Sequence, residues 1–233
     1  VGSEMCIRDS LYCFHSNLSE WNLHDVPNLS YLAWGGSPLA ELDLSGNPKL
    51  HTLHVLGGDL AQAHLSHKRL DTLLWNHTRI ESLDLSNQSE LTFLNCTDNQ
   101  ITALDLSGNT NLETVYAGGN RLLAIRLPQD SVTFCNLTGQ RPVSFPLPEG
   151  ENSIPLNELA PWAESSYISQ LSGGTLLEDR IQLDAPNQLL TYRYTDGIAA
   201  LDTSVSVTGE NSWTVPLSME NWTYGQPAPQ PVA

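Results

Sequence analysis

The feature that most constrains this chain is a pattern of apolar residues that repeats every 20 or 21 residues. Within each copy, apolar residues occupy positions 1, 3, 8, 11 and 13, and a further leucine or valine lies three residues before the next copy begins. The copies begin at Leu11, Leu32, Leu53, Leu73, Leu94, Val115 and Cys135, and the last of them is degraded.

Neither one helix nor one long alternating strand has this spacing. It is typical of a coil made of a short strand, a turn, a second extended segment and a return. One coil alone cannot bury its apolar face, but a stack buries it because each coil covers the next. We therefore predict a solenoid of about seven coils over residues 11–143, made mostly of strands and turns with little or no helix.

The segments LDLSGNPKL, LDLSNQSEL and LDLSGNTNL resemble the short leucine-rich repeats of bacterial surface proteins from Firmicutes and Bacteroidetes, which are about 21 residues long. The resemblance covers roughly residues 11–140. It implies a leucine-rich repeat solenoid that belongs to a secreted or cell-surface protein. Asparagine, which this family usually has at position 6, occurs there only as Asn99 and Asn120. We therefore expect an incomplete asparagine ladder and less regular coils before Asn99.

Position 3 carries large and small residues in alternation along the stack. Its inward phase predicts that Trp34 and Trp75 fill the core rather than stack on a ligand. The same phase predicts that Cys13 and Cys96 are inert, buried thiols.

The leucine period stops near Pro142, where prolines cluster. We predict a small all-β domain over residues 144–215, because Leu190, Tyr192 and Tyr194 alternate with polar residues and Asp196-Gly197 supplies a turn. Its GGTL and YRY segments resemble the domain that often follows such repeats in secreted clostridial surface proteins.

Both ends of the chain differ from the rest. Residues 216–233 are expected to be the start of a truncated further β module or a linker. Residues 1–10, VGSEMCIRDS, share none of the periodicity and resemble a translated sequencing adapter, so we expect them to be non-native.

Composition limits the classes of partner. The formal charge is −16, from 26 acidic and 10 basic residues, which opposes binding to nucleic acid or to anionic membranes. No apolar run approaches the roughly 18 residues of a membrane span. Without Cys6 of the adapter-like segment, three widely spaced cysteines remain, which disfavours a disulfide or zinc framework.

All seven histidines fall within the repeats. The pairs His51/His54 and His64/His67 have i, i+3 spacing, which brings side chains together on a helix but not on strands and turns. We interpret these histidines as exposed polar residues. The sequence contains no nucleophile elbow, phosphate-cradling glycine loop or HExxH motif. We expect no catalytic residues, no cofactor and no enzyme activity.

One column of polar residues follows position 12, with ~4.8 Å between successive coils. It consists of Asn22, Asp43, His64, Asp84, Asp105 and Arg126. Asp43 and Asp84 would favour the charged form of His64, and Arg126 would compensate Asp105. Asp84 and Asp105 could together hold a divalent cation weakly. The alternative, which we favour, is a solvated outer edge set by the LDLS consensus.

The strands present a continuous surface at positions 2, 4 and 5. It carries Tyr12, Phe14, His54, Leu56, Leu74, Asn76, His77, Asn95 and Tyr116. Clustered outward aromatic and aliphatic residues are the usual anchors of a protein interface. The alternatives are scattered surface apolar residues or a face that another segment covers.

We predict a non-catalytic protein-binding or adhesion module, extracellular or on a bacterial cell surface, that binds a protein and is monomeric. A rigid spacer that presents another, possibly enzymatic, domain is the main alternative. A hydrolase is a third hypothesis, but the repeat brings no acid and base together to serve it.

Overall fold

The computed structural model describes residues 9–14, 22–36, 38–60, 62–65, 69–185 and 187–208, with the backbone alone at residues 62–64. The expected further module at 216–233 and most of the adapter-like segment lie outside these residues. Two short 3-10 helices, Leu156–Glu158 and Ser165–Tyr167, are the helical elements of the described part. The strands in this part are β1 (Ser10–Phe14), β2 (Tyr31–Gly35), β3 (Glu41–Asp43), β4 (Thr52–Leu56), β5 (Gln62–His64), β6 (Thr72–Asn76), β7 (Phe93–Asn95), β8 (Ala103–Asp105), β9 (Thr114–Tyr116), β10 (Ala124–Arg126), β11 (Phe134–Asn136), β12 (Val143–Pro146), β13 (Ser153–Pro155), β14 (Ile168–Ser172), β15 (Gly174–Leu176), β16 (Arg180–Leu183), β17 (Leu189–Thr195) and β18 (Ala200–Thr208).

The repeats form a parallel β-solenoid. One strand from each coil joins a seven-stranded sheet in the order β1-β2-β4-β6-β7-β9-β11. Equivalent positions pair in register, so that Leu32 lies opposite Leu53 and Leu53 opposite Leu73. Positions 10–12 form shorter parallel pairs, β3 with β5 and β8 with β10. The predicted fold class, a leucine-rich repeat solenoid followed by a small all-β domain, is confirmed.

The core lies between these two sets of strands. In the second coil the six inward positions are Leu32, Trp34, Leu39, Leu42, Leu44 and Leu50, all buried. Trp34 and Trp75 are almost fully enclosed, which agrees with a packing role. Cys96 is buried as predicted, but Cys13 is half-buried and the prediction for it is wrong. Among the described residues, position 3 of the first coil has a neighbouring strand of the sheet on one side only, because β1 is the edge strand there.

Buried amides at position 6 join successive coils. The Asn99 amide nitrogen donates to the carbonyl oxygens of Trp75 and Cys96 at 2.6 and 3.1 Å, and its oxygen accepts from the Thr78 N–H and hydroxyl. Asn120 repeats this arrangement one coil later, with donation to Cys96 and Ala117. Gln140, which the sequence analysis did not include, continues the series by donating to Ala117 and Leu137.

A second series of amides lies at position 16, in the LDLSGN segments and the related LDLSNQ segment. Asn47, Gln88 and Asn109 each donate across the coil boundary, to the carbonyl oxygens of Leu23, Leu65 and Leu85 at 2.9–3.0 Å. All three side chains are buried. Two series of buried amides thus join the coils, and the sequence pattern predicted only the first.

Position 5 turns the chain out of the sheet with a left-handed backbone. The residues there in coils two to seven have φ between 56° and 74°. They are Gly36, Gly57, His77, Asp98, Gly119 and Gly139. Because left-handed backbone strains residues with a Cβ, glycine dominates this position.

The C-terminal part forms two further sheets, with strand orders β12-β18-β17-β14 and β13-β16-β15. Leu190, Tyr192 and Tyr194 are buried on β17, as their alternation predicted. The predicted boundary between residues 143 and 144 falls within β12, which pairs in parallel with β18.

The C-terminal sheets cover part of the end of the solenoid and share one apolar core with it. The Tyr192 hydroxyl donates to the Leu123 carbonyl at 3.0 Å, and the Thr203 hydroxyl donates to the Leu122 carbonyl at 2.6 Å. Arg126 donates to the Trp162 carbonyl and lies over the indole ring, 5.0 Å from its centroid. These contacts bury backbone carbonyls that a further coil would otherwise cover.

Replacing Asn99 by alanine tests the amide series. We expect Asn99→Ala to lower the free energy of unfolding by roughly 2–4 kcal/mol, because several buried backbone groups lose their partner. Urea denaturation followed by circular dichroism measures the change. Asn111→Ala is the matched control, since this exposed amide donates only to the Ser89 carbonyl. Equal losses in the two variants would contradict a structural role for the series.

The left-handed backbone at position 5 leads to a separate prediction. We expect Gly57→Ala to destabilise the fold by about 1 kcal/mol through backbone strain alone, because the nearest atom to an added Cβ is 3.8 Å away. Gly108→Ala is the control, since that site has open space and no positive φ. A neutral Gly57→Ala would show that the turn does not require a left-handed residue.

Candidate partner-binding face

We define the strand face as the outward side chains of the seven-stranded sheet. The burial of β4 and β6 alternates along each strand, so every second side chain points outward. The structure places most of the predicted residues on this face. These residues are Tyr12, Phe14, His54, Leu56, Leu74, Asn76, Asn95 and Tyr116.

An exposed apolar cluster lies on the first three strands of the sheet. Tyr12 is 65% exposed, and Phe14 and Leu56 are each 42% exposed. The Tyr12 ring packs against that of Tyr31 with centroids 5.0 Å apart. A Cβ added at Gly35, on the intervening strand, would lie 3.2 Å from the Phe14 ring, so glycine leaves room for this ring. We call Tyr12, Phe14, Tyr31 and Leu56 the first cluster.

A second cluster lies on the last three strands. The Tyr116 ring is 5.9 Å from the Phe93 centroid and 5.1 Å from the Phe134 centroid. Phe134 is 46% exposed. Phe93, Tyr116 and Phe134 form a row of three rings across β7, β9 and β11.

Sequence reasoning missed three of these aromatic residues. Tyr31, Phe93 and Phe134 all occupy the position just before position 1, which the repeat pattern treated as a connection. The structure shows that the strands begin one residue earlier. Extending the period-two alternation upstream by one residue would have found them.

The middle of the face is weakly polar. His54 is half-buried on β4, and burial lowers its pKa, which favours the neutral ring. Leu74 lies opposite it on the neighbouring strand. The Asn95 side-chain oxygen accepts from the Thr97 N–H and hydroxyl at 3.2 and 2.9 Å, so it stabilises the exit from β7. Asn76 is half-buried at the end of β6.

His77 differs from the other predicted residues. It follows β6 at the left-handed turn, and its ring nitrogen lies 3.3 Å from the Asp98 carboxylate of the next coil. Both side chains are more than half exposed. Similar contacts join His24 to Asp43 at 3.4 Å and His51 to Asp71 at 3.8 Å.

The position 12 carboxylates are engaged by their own turns. Asp43, Asp84 and Asp105 each accept the N–H of the serine two residues later, at 2.8–3.0 Å. For Asp43 and Asp84 these bonds lower the carboxyl pKa. Asp105 lies 3.9 Å from Arg126, as expected. The His64 side chain lies outside the described residues, so its predicted interaction stays a prediction.

Other chemical sites are not apparent in the part of the chain that the structure describes. Within it, no group of three or more histidine, cysteine or acidic residues is placed to hold a metal ion. None of the described helices is long and apolar enough to cross a membrane. Burial raises the pKa of Cys96 to about 12 and that of Cys135 to about 11, so both remain thiols at neutral pH.

Comparison with known proteins supports the fold. No protein-family model matches the chain, and no curated protein matches it. Among solved structures, the chain is similar to the functional domain of InlJ from Listeria monocytogenes, which includes a cysteine ladder, with a TM-score of 0.57 and 21% identity. The match covers 87% of this chain and 48% of that one, so this chain spans about half its neighbour's length. Position 3 here does not carry cysteine in successive coils. Its residues are Cys13, Trp34, Val55, Trp75, Cys96, Ala117 and Leu137.

The position 12 column leads to a prediction about calcium. A ligand that binds only the folded state raises the melting temperature. Asp84 and Asp105 already accept hydrogen bonds from their own turns, so we expect them not to bind calcium. Millimolar calcium chloride should therefore leave the melting temperature unchanged. Differential scanning fluorimetry with matched magnesium chloride as the ionic control measures this. A calcium-specific rise that Asp84→Asn abolishes would establish the cation site.

Proposed function

We propose that this chain is a non-catalytic module of a bacterial surface protein and that it binds a protein partner through the strand face. The observation that carries the proposal is the pair of exposed apolar clusters, one at each end of a single sheet. Tyr12 and Phe14 belong to the first, and Phe134 belongs to the second.

Aromatic rings on a rigid sheet suit protein recognition. They bury a large area at a small cost in side-chain entropy, and they dominate binding energy where they meet a complementary surface. Their backbone is fixed by in-register pairing. The face therefore presents anchors that need no reorganisation on binding.

The surface location rests on two resemblances. The LDLSGN segments resemble the repeats of bacterial surface proteins, and the fold is similar to that of a Listeria protein domain. The acidic charge of the chain is compatible with a soluble, exposed module that does not bind nucleic acid. On this proposal the module works as a monomer, outside the cell or at its surface.

A rigid spacer is the second candidate. The continuous core and the buried contacts of Tyr192 and Thr203 join the solenoid to the C-terminal sheets as one packed unit. Such a unit would hold a neighbouring domain at a fixed distance. A spacer needs no partner for its strand face, which separates the two hypotheses experimentally.

The test combines Tyr12→Ala with Leu56→Ala. If the first cluster anchors a partner, we expect the fluorescently labelled double variant to bind epithelial cells or bacterial cells at least about tenfold more weakly than the original chain, since lost anchor residues cost more than 1 kcal/mol each. Flow cytometry over a concentration series measures the binding.

The matched control is Leu177→Ala with Leu189→Ala. These leucines are 44% and 56% exposed but lie in the C-terminal part of the chain, outside the strand face. Equal binding by both double variants would refute the role of the strand face. Absence of binding by the unmodified chain to either cell type would favour the spacer.

A further inference from the structure

The seven-stranded sheet ends at β11, which pairs with β9 on one side only within the described residues. Each earlier coil bonds to its successor through the same groups. The position 3 N–H donates to the following coil, as Cys96 does to Tyr116 and Ala117 does to Asn136. The position 5 N–H does so as well, as Gly119 does to Thr138.

The corresponding groups of the seventh coil are Leu137 N–H and Gly139 N–H. In the sixth coil, the Glu113 carbonyl accepts N–H groups from the following coil. The equivalent carbonyl of the seventh coil is that of Thr133. Within the described chain these three groups have no hydrogen-bond partner. The edge of β11 therefore presents donors at Leu137 and Gly139 and an acceptor at Thr133, in the arrangement by which earlier coils bind the next parallel strand.

These groups face an open cleft of about 670 Å³. One wall is residues 132–139, and the other is Ile198, Ala199, Ala200 and Asp202 from the β17–β18 hairpin. The cleft exists because the C-terminal sheets contact Leu122 and Leu123 and leave β11 uncovered.

The side chains of the cleft favour a small apolar group. Cys135 and Ile198 are half-buried, and Leu137 is buried. Burial raises the pKa of Cys135 to about 11, with a further contribution from the charge of Asp196, so the thiol is neutral. Because the thiol carries no charge, an apolar side chain of a ligand can pack beside it without leaving a buried charge unpaired.

The part of the chain that forms the cleft is acidic overall, although Asp202, the carboxylate that lines the cleft, is paired with Arg193. Residues 127–208 carry ten carboxylates and three arginines. Two of these arginines are engaged by neighbouring carboxylates, Arg180 by Asp179 and Arg193 by Asp202. The field at this end of the molecule thus attracts positive charge.

We propose that the cleft binds an extended basic peptide, which adds to β11 as an eighth parallel strand. Carbonyl groups of the peptide accept from Leu137 and Gly139, and a peptide N–H donates to Thr133. Main-chain bonds supply affinity, and an apolar side chain over Cys135 together with flanking lysine or arginine supplies selectivity. This site is distinct from the first cluster of the strand face and does not depend on the function proposed above.

The probe is a fluorescein-labelled decapeptide of alternating lysine and valine, and fluorescence anisotropy measures its affinity. The control peptide has the same sequence with every backbone nitrogen methylated, which keeps the charge but removes the donors and prevents strand addition. We expect the methylated peptide to bind at least about tenfold more weakly. Equal affinities would show that charge alone attracts the peptide and would overturn the proposal.

Blocking the cleft gives a second test. Ala200 is exposed and lines the cleft, so Ala200→Trp should weaken peptide binding at least about tenfold. Leu189→Trp adds the same ring at an exposed position outside the cleft lining and should leave affinity unchanged. The Tyr12→Ala, Leu56→Ala double variant should also bind the peptide normally, which separates this site from the first cluster of the strand face.

A third measurement needs no variant. The unmethylated peptide should slow alkylation of Cys135 by iodoacetamide and leave that of Cys13 unchanged, as quantified by peptide mass spectrometry. Unaltered labelling of Cys135 at saturating peptide would place the peptide elsewhere and refute the proposal.

Discussion

The solenoid depends on the supply of buried hydrogen-bond donors for carbonyl groups at its tight turns. A turn that leaves the sheet within a few residues leaves carbonyl oxygens that no strand pairs, and leaving a buried carbonyl without a donor costs free energy. Asn99 and Asn120 donate to such groups in their own coil and in the preceding one. At the second turn, Asn47 and Asn109 donate to carbonyl groups of the preceding coil. The leucines supply the apolar core, but the amides fix the register in which one coil stacks on the next.

Most of the apolar core of the solenoid could be predicted from the sequence, because each inward position recurs in several coils. Leu53 and Leu94, for example, both occupy position 1 of their coils, and both are buried. Properties that depend on a coil's neighbours were harder to predict. Cys13 has an inward position but remains half-buried at the edge of the stack. Gln140 was missed because its coil is degraded, although its longer side chain performs the role of asparagine.

The C-terminal part has no repeat, so only features set by a local pattern could be predicted there. The alternation on β17 predicted Tyr192 and Tyr194 as inward residues, since a single strand contains that signal. The parallel pairing of β12 with β18 joins segments far apart in the chain, and no local pattern specifies it. The candidate sites share this dependence. The aromatic row requires Phe134 to lie beside Tyr116, and the cleft requires the β17–β18 hairpin to lie opposite β11.

In-register stacking also has an evolutionary consequence. In the sheet, each inner strand pairs with the strands of the coils before and after it, and equivalent positions pair in register. Duplication or loss of one complete coil within the array would therefore lengthen or shorten the strand face by one strand while both ends keep their contacts. A gene encoding such an array can vary the length of the strand face through unequal recombination, without disturbing the terminal edge or the sheets packed against Leu122 and Leu123. Length is the property that this architecture leaves most free to change.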